Sequence, residues 1–264
     1  MLELREIYKT FNPNTINEKR ALNGLNLKLE EGDFVTVIGG NGAGKSTMLN
    51  AIAGAWPLDS GQVIIDGQDV TRLADYKRAA YLGRVFQDPI MCTAAYMEIE
   101  ENLAAAYRRG TRRTLRWGIR AKEREEYRNL LRTLDLGLED RLRSKVGLLS
   151  GGQRQALTLL MATLKKPKVL LLDEHTAALD PKTAAKVLEI SDRIISENHL
   201  TALMITHNMK DAITYGNRLI MMNNGQIILD IRGEEKQKLT VDDLLHQFSL
   251  ASGSEFANDR ALLS

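Results

Sequence analysis

The chain has almost nothing with which to cross-link itself. Cys92 is the one cysteine in 264 residues, so no intrachain disulfide can form and a reducing compartment is the simpler setting. Long apolar runs are missing too. No window approaches the roughly 18 consecutive apolar residues of a spanning helix, and the longest apolar clusters, such as Val169–Leu172, are strand-sized. The first residues, Met1-Leu2-Glu3-Leu4-Arg5-Glu6, lack the basic start and apolar core of a secretion signal. The expectation is a chain that stays in the cytosol and reaches a membrane only through a partner. Nor does one sign of charge dominate. With 36 Lys+Arg against 34 Asp+Glu, the formal net charge is +2, and overall charge gives no argument for nucleic-acid binding. No repeat of solenoid or propeller length is present.

A hydrophobic fraction of 44% and a charged fraction of 27% exclude a largely disordered or fibrous chain. The length suits one large α/β unit, or one core with a smaller lobe, and can bury a sizeable interior. The first 70 residues read mostly as strands. Leu2–Ile7 alternates roughly, Leu25–Leu29 cleanly, and Phe34–Ile38 is continuously apolar, as a parallel strand covered on both faces requires. Val63-Ile64-Ile65 runs into an Asp66-Gly67 turn.

From about 90 to 148 the chain turns rich in Ala, Leu, Glu and Arg, which predicts helix. Arg108–Arg128 carries nine basic residues: Arg108, Arg109, Arg112, Arg113, Arg116, Arg120, Lys122, Arg124 and Arg128. One reading is a solvated helix face whose like-charge pairs, Arg120 with Arg124 and Arg124 with Arg128, are relieved by Glu123, Glu125 and Glu126. The other is a lobe near anionic headgroups, with Trp117 as an interfacial residue. Beyond it the pattern alternates: helix over Gln153–Leu164, strand over Val169–Leu172, helix over Lys182–Glu197, strand over Thr201–Thr206. A hairpin follows, Arg218–Met222 and Gln226–Leu229 about an Asn-Gly turn, then a short capped helix near Thr240–Leu245. Ser252–Ser264 reads as a loose tail.

The sharpest motif is Gly39-Gly40-Asn41-Gly42-Ala43-Gly44-Lys45-Ser46-Thr47, which fits G-x-x-x-x-G-K-[ST] between the strand Phe34–Ile38 and a helix over Ser46–Ala53 closed by Gly54. Backbone N–H groups can wrap a triphosphate only where side chains leave room, hence the glycines. The helix start turns its positive dipole end to the phosphates. Lys45 supplies charge to the β/γ oxygens, and the Ser46 hydroxyl can ligate Mg²⁺.

Four further signals stand around it. They are Gln87 in Val85-Phe86-Gln87-Asp88, Leu149-Ser150-Gly151-Gly152-Gln153 before a helix, Asp173-Glu174 after the strand Val169–Leu172, and Thr206-His207 after the next strand. Alone, Asp173-Glu174 reads equally as a helix-capping pair, and a lone histidine as a structural one. Ser150-Gly151-Gly152 makes a second N-terminal anion site.

In this order the motifs resemble the ATP-binding cassette (ABC) ATPases over residues 1–230. The resemblance implies an α/β fold: a P-loop NTPase core, with a mixed sheet and flanking helices, plus an antiparallel β subdomain and an α-helical lobe. Residues 1–240 would be the ATP-binding domain, with its lobe at about 90–160, and 241–264 a short C-terminal helix and tail. It implies ATP and Mg²⁺ as cofactors. Gly39, Asn41, Gly42, Ala43, Gly44, Lys45, Ser46 and Thr47 would hold the nucleotide, and Ser46, Gln87 and Asp173 the metal. Glu174 would orient or deprotonate the attacking water, His207 would contact the γ-phosphate, and Gln87 would link core and lobe. Phe11 would stack on adenine, with Tyr8 the competing candidate and an ordinary core aromatic the plain alternative. Ser150, Gly151, Gly152 and Gln153 would cover the nucleotide of a second, head-to-tail copy, with Asp180 in the loop crossing that interface. One position departs: the family usually has Pro where His175 stands. Pro fixes φ, so a looser turn is expected, and a histidine beside the γ-phosphate would add mild pH dependence.

With no spanning helix, such a chain implies separate membrane permease subunits and a place on the cytoplasmic face of the membrane. A bacterial uptake system with a substrate-binding protein fits best. The overall wording resembles cassettes serving an amino-acid-like, tryptophan/tyrosine-type group. Efflux, lipoprotein release and a non-transport ABC ATPase remain as alternatives. Only about 100 residues separate the phosphate loop from Leu149–Gln153, too few for the coiled-coil insertion of repair ATPases, and no nucleic acid is expected. A GTPase would need an Asn-Lys-x-Asp motif, which the sequence lacks.

Overall fold

The computed structural model describes residues 1–111 and 118–252. Arg112, Arg113, Arg116 and Trp117 of the basic stretch, and the tail beyond Ser252, lie outside them. The chain begins with β1 (Leu2–Phe11), β2 (Lys19–Leu29), β3 (Phe34–Gly39), α1 (Lys45–Ala53), β4 (Ser60–Ile65), β5 (Gln68–Asp69), α2 (Asp75–Arg78) and β6 (Leu82–Val85). It continues through α3 (Ile99–Tyr107), α4 (Ala121–Arg132), α5 (Gly151–Thr163), β7 (Val169–Asp173), α6 (Pro181–Glu197) and β8 (Ala202–Ile205). It ends with α7 (Met209–Thr214), β9 (Arg218–Asn223), β10 (Gln226–Arg232), α8 (Gly233–Gln237) and α9 (Val241–Ser252).

Two sheets carry the architecture. A six-stranded sheet runs in the order β10-β9-β3-β8-β7-β6, parallel except for the antiparallel edge strand β10. A four-stranded antiparallel sheet, β2-β1-β4-β5, faces it. This is the mixed α/β fold of P-loop NTPases, with the antiparallel subdomain that the sequence led us to expect.

The continuous apolar strands have a simple cause. In β7, Val169 and Leu171 join the core shared with α1 and the antiparallel sheet, while Leu170 and Leu172 join the core under α3–α6. β8 divides the same way, with Leu203 and Ile205 on one side and Ala202 and Met204 on the other. Strands covered on both faces have no polar side to show. The imperfect alternation of Leu2–Ile7 is a bulge. Leu2, Leu4 and Ile7 are all buried, and the extra residue is absorbed where Glu6 takes φ +45° and the register with β2 shifts.

The described residues of the stretch 90–148 are less helical than its composition predicts. Among the described residues there, only α3 and α4 are regular helices, with single 3₁₀ turns at Pro89–Cys92 and Val146–Leu148. After α4 the backbone turns at Asp135 (φ +55°) and Gly137 (φ +66°). From there Leu138, Leu142, Val146 and Leu149 pin an irregular segment into the core. The C-terminal helix is longer than its capped start suggests. α9 reaches Ser252, and Leu244 and Phe248 pack with Ile38, Met209 and Met221. Among the described residues no helix is long and apolar enough to cross a membrane.

Candidate nucleotide-binding and catalytic site

β3 is buried along its whole length and delivers the glycine-rich loop to the start of α1. The loop closes because its glycines accept geometry that a side chain would refuse. Gly44 has φ +102°, and a Cβ there would meet the Ala21 carbonyl oxygen at 2.4 Å. No side chain caps the N-terminus of α1, so its first N–H groups remain available to an anion. The buried Lys45 ammonium turns back over the loop and donates to the Gly39 and Gly40 carbonyls at 2.7 and 3.1 Å. Gly39 therefore holds the lysine.

A cleft of about 360 Å³ opens at this point, lined by Phe11, Lys19, Ala21, the run Asn41, Gly42, Ala43, Gly44, Lys45, Ser46 and Thr47, and Glu174. Phe11 stands at its rim with its ring edge-on to Trp56, centroids 5.0 Å apart. Tyr8 instead directs its hydroxyl to Glu6 at 3.5 Å and does not line the cleft. Of the two candidates, the structure places Phe11 at the cleft.

The carboxylates come from the end of β7. Asp173 is its last residue, and burial raises its pKa; Arg84 opposes that shift, Glu174 adds to it, and Lys45 opposes it. Glu174 follows with φ +43°, a rare backbone state for a side chain of this size, and its N–H donates to Ile205 O at 3.1 Å. That turn carries its carboxylate out of the strand into the cleft. His207, just beyond β8, sets its Nδ1 3.7 Å from Glu174 Oε2. The facing Glu174 carboxylate raises the His207 pKa, and His207 in turn lowers that of Glu174.

Two residues that the sequence reading passed over bind these parts together. Arg84 on β6 approaches Asp173 Oδ2 to 3.7 Å, donates through Nη2 to Asn50 Oδ1 at 2.8 Å, and lies 4.1 Å from the Phe86 ring centre. Asn50 on α1 donates to Ser46 O at 2.8 Å. A guanidinium thus joins the loop helix, the end of β7 and the residue before Gln87. No local pattern in the sequence signals this, because its partners lie 34 and 89 positions away.

The donor set suits Mg²⁺. A serine hydroxyl and one partly buried carboxylate offer hard oxygen ligands, and this ion is commonly held by one or two protein oxygens together with substrate phosphates and water. Among the described residues no group of three or more His, Cys, Asp or Glu could hold a metal by itself.

Other expected residues lie outside the cleft. Gln87 is exposed and lines neither cleft. Ser150 is the N-cap of α5. Its Oγ accepts from Gln153 N at 3.3 Å, and Gln153 Oε1 accepts from Ser150 N at 3.2 Å. Gly151 is exposed beside it, whereas Gly152 is buried, and a Cβ there would come within 2.1 Å of Thr183 Cγ2. The absence of a side chain at Gly152 serves the packing of α5 on α6. Asp180 caps α6, accepting from Thr183 N at 3.1 Å.

His175 corrects an expectation. It does not stand in the nucleotide cleft. It is 1% exposed, with Nε2 3.0 Å from Ser191 Oγ. Ser191 gives its proton to Val187 O, so its oxygen accepts from the Nε2–H tautomer. Burial pushes the His175 pKa down to about 4. The residue anchors the turn onto α6 and stays neutral near pH 7, so it is no source of mild pH dependence at the phosphate.

A larger cleft, about 1390 Å³, lies between β6, α3, α5 and the start of α4, lined among the described residues by Arg84, Phe86, Cys92, Tyr107, Met161 and others. Its lining contains none of the expected site residues.

The sheet order, the glycine loop opening α1 and the carboxylates ending β7 define a P-loop ATPase of the α/β class. The ABC transporter family model matches residues 22–177. Over 252 residues the chain is 46% identical to the tyrosine transport ATP-binding protein of Clostridioides difficile, covering 95% of this chain and 100% of that one. It is 32% identical to the ABC transporter ATP-binding protein YxdL of Bacillus subtilis, over 98% and 96% of the two chains. Among solved structures, a dimeric ATP-binding cassette bound to ADP and Pi after hydrolysis superposes with a TM-score of 0.74 at 29% identity, covering 88% of this chain and 98% of that one. The ADP form of another cassette gives 0.75 at 28%, covering 94% and 98%. The chain belongs to the ABC transporter family, as its ATP-binding subunit. It binds and hydrolyses ATP.

Proposed function

We propose that two copies of this chain, packed head to tail on the cytoplasmic face of a membrane, hydrolyse ATP to drive bacterial uptake of an aromatic amino acid, tyrosine above all. The observation that carries the catalytic part is the meeting of Lys45, Glu174 and Phe11 in one cleft, with His207 beside Glu174. The solute reading rests on the 46% identity, over the whole of that protein, to a tyrosine transport ATP-binding protein.

Phe11 packs against adenine, and the loop N–H groups with Lys45 hold the β- and γ-phosphates. Ser46 and Asp173, with Gln87 alongside, would hold Mg²⁺, which would supply positive charge to offset that of the phosphates. Glu174 orients a water and draws off its proton as the water oxygen attacks the γ-phosphorus; the bond to the β-bridging oxygen breaks, leaving ADP and Pi. His207 hydrogen-bonds the γ-phosphate and holds Glu174 in position beforehand. In each copy the exposed Ser150-Gly151 end of α5 covers the partner's nucleotide, with Gly152 and Gln153 shaping that end. Asp180 lies where the two copies meet. ATP therefore joins the pair, and loss of Pi releases it.

Integral membrane permease subunits would receive this motion in the large cleft beside Phe86, and an extracytoplasmic substrate-binding protein would deliver the solute. No nucleic acid takes part. The test is the complex assembled with its permease and binding protein in vesicles. ATPase turnover should rise with tyrosine inside the vesicle-facing binding protein's reach and not with a polyamine. Glu174→Gln should abolish turnover and leave an ATP-bound dimer. Undiminished turnover in that variant, or indifference to aromatic amino acids, overturns the corresponding half of the reading.

A further inference from the structure

The nucleotide cleft has a second ammonium, on the strand facing the loop. Lys19 opens β2 directly opposite Phe11 in the β1–β2 register. The register slips by one residue at Ala21, between the Lys9–Leu22 and Thr10–Arg20 pairs. Both Lys19 and Ala21 line the cleft. Ala21 is small and buried, and its carbonyl passes so near Gly44 that β2 forms a wall of the loop. Two residues earlier on that wall, Lys19 reaches across the mouth. Its Nζ lies 2.6 Å from where a Cβ of Gly42 would stand, and its Cε 3.6 Å.

Lys9, a near neighbour on β1, differs. Its ammonium is held by Asp59 at 3.3 Å. Among the described residues no carboxylate pairs with Lys19 in this way. An exposed cation is thus extended over bare loop backbone, at the lip of an anion-binding cleft, between the aromatic ring at one end and Lys45 at the other. A nucleotide with its base on Phe11 and its terminal phosphates on Lys45 must pass beneath it.

We propose that Lys19 is a nucleotide-binding residue. It supplies a second positive charge to the phosphate chain of ATP and ADP, from the side opposite Lys45. This rests on the ATP-site reading above and adds to it a contact that the loop motif does not contain. The roles of the two lysines differ. Lys45 is buried and bonded to the loop, and is fixed before ligand arrives. Lys19 is exposed and acts as a flexible outer clamp, raising affinity for di- and triphosphates alike. Its charge is accessible to salt, so its contribution is screened, whereas that of a buried ammonium is screened much less.

The test is calorimetric titration of ADP, in EDTA, into the full-length chain and its Lys19→Met, Lys19→Arg and Lys45→Ala variants. At low salt Lys19→Met should bind about tenfold more weakly, the scale of one charge-assisted hydrogen bond partly exposed to water. Lys19→Arg should stay within about twofold, because a point charge is what the site needs. The gap between parent and Lys19→Met should shrink to about twofold at 0.5 M salt. Unchanged ADP affinity in Lys19→Met at low salt overturns the proposal. So does a loss that Arg fails to rescue and salt fails to narrow, which would mark a packing defect. Lys45→Ala separates the two readings. If it binds ADP like the parent, the ATP-site reading itself fails; if it loses ADP while Lys19→Met keeps it, only the clamp is wrong.

Discussion

His207 Nδ1 stands 3.7 Å from Glu174 Oε2, and each residue shifts the other's proton affinity: the imidazole is raised above 6.5 and the carboxylate lowered below 4.5. A histidine with a raised folded-state pKa lends stability that is fully present below its unfolded value and lost as pH rises through the folded one. In nucleotide-free protein we expect the His207 ring protons to titrate above pH 6.5 by NMR. Glu174→Gln should bring that midpoint down, since the largest raising influence is then gone and burial and Lys45 lower it, opposed only by the Asp211 charge. An unmoved midpoint would show that the carboxylate is not the cause.

His175 gives the opposite sign. Burial depresses its pKa from 6.5 to about 4, so the unfolded chain takes up the proton first. The stability carried by the neutral ring is present above pH 6.5 and drains away as pH falls towards 4, by about 3 kcal/mol at most. Urea unfolding at pH 7 and pH 4 should show this loss in the parent and most of it gone in His175→Gln. ATPase pH profiles above pH 6 should not carry a His175 titration.

Arg84→Met should cost about 2 kcal/mol in urea unfolding, since it strips from Asp173 a cation 3.7 Å away and leaves Asn50 Oδ1 without its donor. Arg84→Lys should recover only part of it, because an ammonium cannot stack on Phe86 while reaching both partners. Equal stability of Arg84→Met and parent would mean that the guanidinium holds nothing in place.

Gly152→Ala should destabilise by about 1–3 kcal/mol, the usual range for an overpacked core position. The new methyl would lie 2.1 Å from Thr183 Cγ2. Thr183→Ser removes that methyl and leaves the backbone N–H that Asp180 caps. The double variant should therefore regain most of the loss, a coupling that a double-mutant cycle measures. Additive losses would show that the two do not touch in the way described.

Local chemistry made the nucleotide loop legible from the sequence: a strand, a glycine run and a helix lie within twenty residues, and each restricts the next. The buried strands were legible because two covered faces leave no polar alternation. β6 was not, since four residues containing Gly83 and Arg84 give neither periodicity nor an apolar run. α7 was not, because its six residues depend on the Asn208 side chain accepting from Lys210 N and Asp211 N. The segment after α4 was composed like a helix but is set by its buried leucines. At the site, Lys45, Asp173 and Glu174 announced themselves by position in a motif. Lys19, Arg84 and Asn50 act across sheet register and between elements distant in sequence, and no local pattern records such contacts. His175 was read from its neighbour in the chain, yet its real neighbour is Ser191, on the next helix.

Because Val169 and Leu171 belong to one apolar core while Leu170 and Leu172 belong to the other, β7 is a party wall between two interiors. Neither interior can melt and leave that strand in place for the other. Heating or denaturant should therefore dismantle the sheets and the packed helices together, in a single cooperative transition, and the same wall that positions the acidic pair makes loss of activity and loss of fold coincide.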